Sequence, residues 1–128
     1  MPILKFADAN VDSGDPGVFA RRMVNSLMGS QTITCGVSEF QPGAAIFSHT
    51  HPCEEVVAVV AGEAVAEVNG ERFVLRPFDL SFMPPLVPHR FLNESDRPFT
   101  MIYFYPSTAV TRDAVDPAEV PGDETPHY

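Results

Sequence analysis

A chain of 128 residues with 45% hydrophobic and 20% charged side chains fits one domain with a single hydrophobic core. Its net charge of −9 argues against nucleic acid and anionic membranes as partners, since both reward clustered Lys and Arg. No apolar run approaches the length of a bilayer span, and the start, MPILKFADANVD, shows no secretory pattern, so a cytoplasmic protein with Cys35 and Cys53 as free thiols is expected.

Residues 1–30 read as an N-terminal extension of strand and turn, in which VFARRMV reads as a strand. From Gln31 to Pro106, eight short β-branched and aromatic runs are cut by turn residues. QTITCGVSEF stops at Pro42-Gly43, AAIFSH runs into the segment HTHPCEE, and EVVAVVA stops at Gly62. EAVAEV and ERFVL flank Asn69-Gly70, the pair best suited to a two-residue hairpin because both positions need positive φ. DLSFM, HRFL and PFTMIYFY complete the set, and Pro84-Pro85 and Pro88 stiffen the link before His89. Short strands with tight turns and no long helix predict an all-β sandwich or barrel. Residues 107–128 carry five acidic residues, one arginine and three prolines, and read as an acidic tail that adds little to the fold, with His127 solvated.

In a strand, alternate residues share a face, so His49 and His51 point the same way with Cα atoms roughly 6.6 Å apart. Two imidazoles so placed can meet on one ion with bonds of about 2.1 Å. Pro52 bends the chain, and Glu55 opens the next strand, from which it can turn back to supply an oxygen. Three donors leave such a site incomplete, and His89 is the best-placed fourth. Glu54 has the opposite parity and should face solvent, and Arg90 should face away from the metal. Phe47, Phe82, Phe91, Met101 and Tyr103 are candidates to line a pocket, with Tyr103 the candidate acid, base or clamp.

Gly43, His49, His51, Glu55 and Gly62 fall at every defining position of the first motif of the cupin superfamily, which this chain therefore resembles. Pro84, His89 and Asn93 match the second motif, whereas Phe78 and Leu86 stand where that pattern has glycines. The resemblance covers about residues 30–105 and implies a conical β-barrel of the jelly-roll, or double-stranded β-helix, type. It implies one metal held by His49, His51, Glu55 and His89, and a homodimer formed through sheet edges.

Three imidazoles and one carboxylate leave coordination positions open, whereas structural zinc is closed. The set suits a divalent transition metal, Fe(II) or Mn(II) first, then Ni, Co or Zn. The expected function is a metal-dependent enzyme acting on a small oxygenated organic substrate. Dioxygenase chemistry is the first expectation, with lyase, decarboxylase or isomerase chemistry close behind. The alternative is a non-catalytic module that binds a small molecule, because fold alone does not fix function.

Overall fold

The computed structural model describes residues 3–115. Eleven strands follow in order: β1 (Val11–Asp12), β2 (Val18–Val24), β3 (Thr34–Phe40), β4 (His49–Thr50), β5 (Glu55–Ala61) and β6 (Ala64–Val68). Then come β7 (Glu71–Leu75), β8 (Leu80–Met83), β9 (His89–Leu92), β10 (Phe99–Tyr105) and β11 (Asp113–Ala114). Helical structure among the described residues is limited to two single 3-10 turns, at Phe6–Asp8 and Ser26–Met28, and no helix is long and apolar enough to cross a membrane. The strands form two antiparallel sheets, one ordered β1-β2-β3-β10-β5-β8 and the other β11-β4-β9-β6-β7. The chain is an all-β jelly roll whose two sheets enclose the core.

Alternation decides what that core contains. In β5, Glu55, Val57 and Val59 are buried while Val56 and Ala58 are only half-buried, and in β10 Phe99 and Met101 point inward. Phe40 from β3 stacks on Phe99 at 4.4 Å between ring centres, and both are fully buried. Burial of each such ring contributes about 1.5–3 kcal/mol. On β9, His89 and Phe91 face the interior while Arg90 turns to the other side of its sheet. There Arg90 Nε donates to Glu67 Oε2 at 2.8 Å, a buried pair that Arg72 also joins.

The turns behave as their residues demand. Asn69 and Gly70 have φ of 50° and 86°, the two positive values that a type I′ hairpin between β6 and β7 requires. AAIFSH, expected as a full strand, is bonded to β9 unevenly. Ala45 makes one isolated bridge to Leu92, Ile46 N donates to Phe91 O, and a regular ladder begins only at His49. Part of the segment read as a tail lies in the fold: Asp113 and Ala114 pair with Thr50 and His49. Residues 116–128, with His127, lie outside the described residues.

Phe78 and Leu86 take φ of 73° and 64°. The turns thus keep the left-handed geometry that glycine would give, at a cost of roughly 1–2 kcal/mol for each side chain. Both side chains are exposed, so their removal forfeits little burial. Leu86→Gly should relieve that strain, offset by about 0.5–1 kcal/mol of added chain entropy. The expected net result is a gain of up to about 1 kcal/mol, read as a higher urea midpoint at unchanged slope. A loss of stability would show that the Leu86 side chain has a packing role the structure does not reveal.

Candidate metal centre

Three strands deliver the histidines and the glutamate to one place. β4 and β9 pair so that His49 lies directly across from His89, and β5 begins with Glu55 after the bend at Pro52. His51 follows β4, and its carbonyl accepts the Leu86 N–H at 3.0 Å, so the left-handed residue of the proline-rich loop anchors the ligand segment. The imidazole centres of His89 lie 4.4 Å from His49 and 4.7 Å from His51. One ring nitrogen from each of the three lies within 4.8 Å of the others, and all three residues are buried.

Local hydrogen bonds fix which nitrogen faces inward. His49 Nδ1 donates to Phe47 O at 2.9 Å, His51 Nδ1 to Cys53 O at 3.1 Å and His89 Nδ1 to Val87 O at 2.8 Å. A neutral ring that donates through Nδ1 keeps a bare lone pair on Nε2, the state a metal ligand needs. His51 Nε2 and His89 Nε2 then face Glu55 at 3.6 and 3.3 Å. Among the described residues, His51 Nε2, His89 Nε2 and Glu55 Oε1 are buried with no hydrogen-bond partner. Acceptors turned toward one another in a buried pocket repel unless a positive charge sits among them. A divalent ion supplies that charge, so the residues fit a metal bound by His49, His51, His89 and Glu55.

Protonation is the other way to relieve the cluster, and it falls unevenly. Burial pushes the Glu55 carboxyl up, but His51, His89 and Tyr105 outweigh it and hold the group at about 2. Burial opposes a charge on His51, yet the carboxylate beside it raises that imidazole overall. His49 is lowered to about 3 by burial and by His89, so it stays neutral. Glu55 is therefore an anion at any working pH, and His49 a ready donor.

A cavity of about 690 Å³ opens onto His49 and Glu55. Phe47, Phe91, Met101 and Tyr103 line it, as do Val18 and Ile46. Phe82 does not. It pairs with Val56 rather than Glu55 in the β5–β8 ladder, which turns its ring to the outer face, where it is 60% exposed. Counting from the inward-facing Glu55 across to Met83, and not along DLSFM alone, would have shown the parity. Tyr105, two residues beyond Tyr103 and so on the same face, is the phenol that reaches the ligands. Its ring packs edge-on to His51 at 5.0 Å, and its phenol is among the groups that hold the Glu55 carboxyl down. Glu54 is exposed, and Cys53 is a half-buried free thiol.

Residues 36–105 match the Cupin domain family. The chain belongs to the cupin family. A curated relative, polyketide synthase CurC of Streptomyces cyaneus, is 36% identical over 69 residues, which cover 53% of this cupin and 45% of the relative, so just under half of that protein is matched. Among solved structures, the polyketide cyclase RemF from Streptomyces resistomycificus superposes with a TM-score of 0.81 at 18% identity, over 95% of this chain and 90% of that one. A cupin-superfamily sugar phosphate isomerase from Silicibacter pomeroyi gives 0.76 at 23% identity, over 90% and 82% of the two chains. Oxalate decarboxylase from Lactobacillus farciminis gives 0.76 at 21%, over 85% of this cupin and 34% of that chain. At these identities the likeness is one of fold.

Proposed function

We propose that this cupin is a metal-dependent enzyme that closes rings in a polyketone or a related enolisable, oxygen-rich substrate. The observation that carries the reading is the convergence of three buried imidazoles beside Glu55, with His49 and Glu55 opening onto a cavity whose inner wall carries Phe47, Phe91 and Met101. A polyketide synthase relative and a polyketide cyclase of the same fold support ring closure over the dioxygenase chemistry that the ligand set first suggests.

The chain's own groups have defined parts in such a reaction. A divalent ion held by the four ligands would supply Lewis acidity toward a substrate carbonyl oxygen. Phe47, Phe91 and Met101 shelter the acyl chain from water and hold it folded. Burial pushes the phenols of Tyr103 and Tyr105 above their ordinary value. Both stay protonated, so they donate hydrogen bonds and do not act as bases at neutral pH. Tyr105, whose ring packs against His51, is accordingly the donor to a carbonyl oxygen that gains charge as the new carbon–carbon bond forms. The closure moves one proton from carbon to oxygen and is redox-neutral.

The test is incubation of the metal-loaded protein with a linear triketone, with product mass and oxygen consumption followed together. An isomeric or dehydrated cyclic product without oxygen uptake is expected. Uptake in proportion to product would move the assignment to dioxygenase, and turnover by neither route would leave a binding module.

We further propose that the protein is a homodimer whose contact is the outer face of the six-stranded sheet. Leu80, Phe82 and Phe104 stand together there through the β8-β5-β10 ladders and are 64%, 60% and 41% exposed. Soluble monomers rarely leave such a patch uncovered, and a self-complementary apolar sheet face suits a second copy. Sedimentation should give twice the chain mass, and Phe82→Asp should give the monomer. A monomeric wild-type protein would refute the assignment.

A further inference from the structure

The cavity has a charged rim that ring closure does not use. Alternation in VFARRMV sends Val18, Ala20 and Arg22 into the cavity, while Phe19 and Arg21 line a groove outside. Arg21 is fully seated, lying over the Phe6 ring and donating to the Phe6 carbonyl. Arg22 has no such seat. Its acid neighbour Asp12 is 3.9 Å away, beyond a hydrogen bond, and both side chains are more than half exposed. A pair of that kind is worth about 0–1 kcal/mol. Among the described residues, no hydrogen bond engages the donors of Arg22, and this loose pair with Asp12 is the contact they make. The other arginine of the cavity, Arg112, is already committed: it donates to Asp15 at 3.2 Å and covers the Phe47 ring at 4.3 Å.

The wall beside Arg22 is shaped to present a second donor. Arg22 and Tyr103 both pair with Gly36, one from each side. A Cβ at Gly36 would overlap the Tyr103 hydroxyl and come within 2.6 Å of the Arg21 carbonyl. The missing side chain thus lets the phenol lie across β3 toward β2 and Arg22. No hydrogen bond among the described residues uses that hydroxyl. From there the aromatic wall leads to the ligands, with Tyr105 5.6 Å from Tyr103 and His51 5.0 Å from Tyr105, centre to centre.

We propose that Arg22 and the Tyr103 hydroxyl form a carboxylate-binding subsite at the rim. The substrate is then an elongated molecule that presents an enolisable carbonyl to the imidazole cluster and a carboxylate at its far end. A guanidinium offers a planar fork matched to two carboxylate oxygens, which a lysine would not. This rests on the proposed function, for it specifies the substrate of the same cavity.

Calorimetry of the metal-loaded protein with acetylacetone extended by a heptanoic acid chain, and with its methyl ester, tests the subsite. The acid should bind at least about tenfold more tightly than the ester, as expected of a charge-assisted hydrogen bond. Arg22→Gln should bring the acid down to the affinity of the ester with metal content unchanged, and Arg22→Lys should restore only part of the difference. Gly36→Ala, which displaces the phenol, should narrow it. Equal binding of acid and ester by the wild-type protein, or a preference that survives Arg22→Gln, overturns the subsite and leaves ring closure standing. If the metal-loaded protein binds neither compound, the ring-closing function falls and the subsite with it.

Discussion

His51→Ala is expected to purify folded and without stoichiometric metal, as is His49→Ala. Each removes one of four donors. Loss of a ligand should cost more than the roughly 10–100-fold in affinity that follows loss of a mere outer partner. The ion-free barrel should stay folded, because the buried strands and not the His51 side chain hold its core. The wild-type protein should gain about 2.7 kcal/mol of apparent stability when free metal is at 100 times its dissociation constant. That metal-dependent rise in melting temperature should vanish in both variants. Elemental analysis showing full occupancy in either would mean that the ion, if one binds, sits elsewhere.

Gly62→Ala should be strongly destabilising. Gly62 has φ of 77°, and a Cβ there would lie 2.7 Å from the Phe99 Cα and closer still to the Pro98 carbonyl oxygen. Both obstacles are backbone, so no rotamer relieves them. Phe99 cannot retreat, since it is fully buried and stacked on Phe40. Left-handed strain and overpacking together predict a loss of roughly 3–5 kcal/mol, a large part of the 5–15 kcal/mol typical of a domain. Gly29→Ala is the control: its φ of 100° carries strain, but nothing lies within 4 Å of the new methyl. Equal urea midpoints for the two variants would show that close approach at Gly62 contributes nothing.

The fold was legible because its signals are local. Asn69-Gly70 states its own turn type, and the alternation in EVVAVVA and PFTMIYFY states which side chains turn inward. The histidines were legible through spacing and motif. What escaped depends on cross-strand register. Phe82 looks like a pocket residue until its pairing with Val56 places it outside. Tyr103 and Tyr105 are equivalent along the strand, and only the position of Glu55 separates the phenol that touches a ligand from the one that faces Arg22. The uneven bonding of residues 44–48 and the pairing of β11 with β4 were likewise invisible. A two-residue strand has no period to detect, and β4 is made by its neighbours.

That last feature bears on the order in which the molecule comes together. Both partners of β4, β9 and β11, lie later in the chain, so the histidine strand has no neighbour to bind when it is first made. Contacts of such long separation pay their loop-closure entropy before they return any stability, and they form late. The imidazoles therefore meet only when most of the barrel already stands. A metal ion cannot serve as the nucleus of folding, as it does in small zinc domains. An ion that binds there would arrive at a finished pocket, and the choice of ion would rest on what that pocket accepts after synthesis.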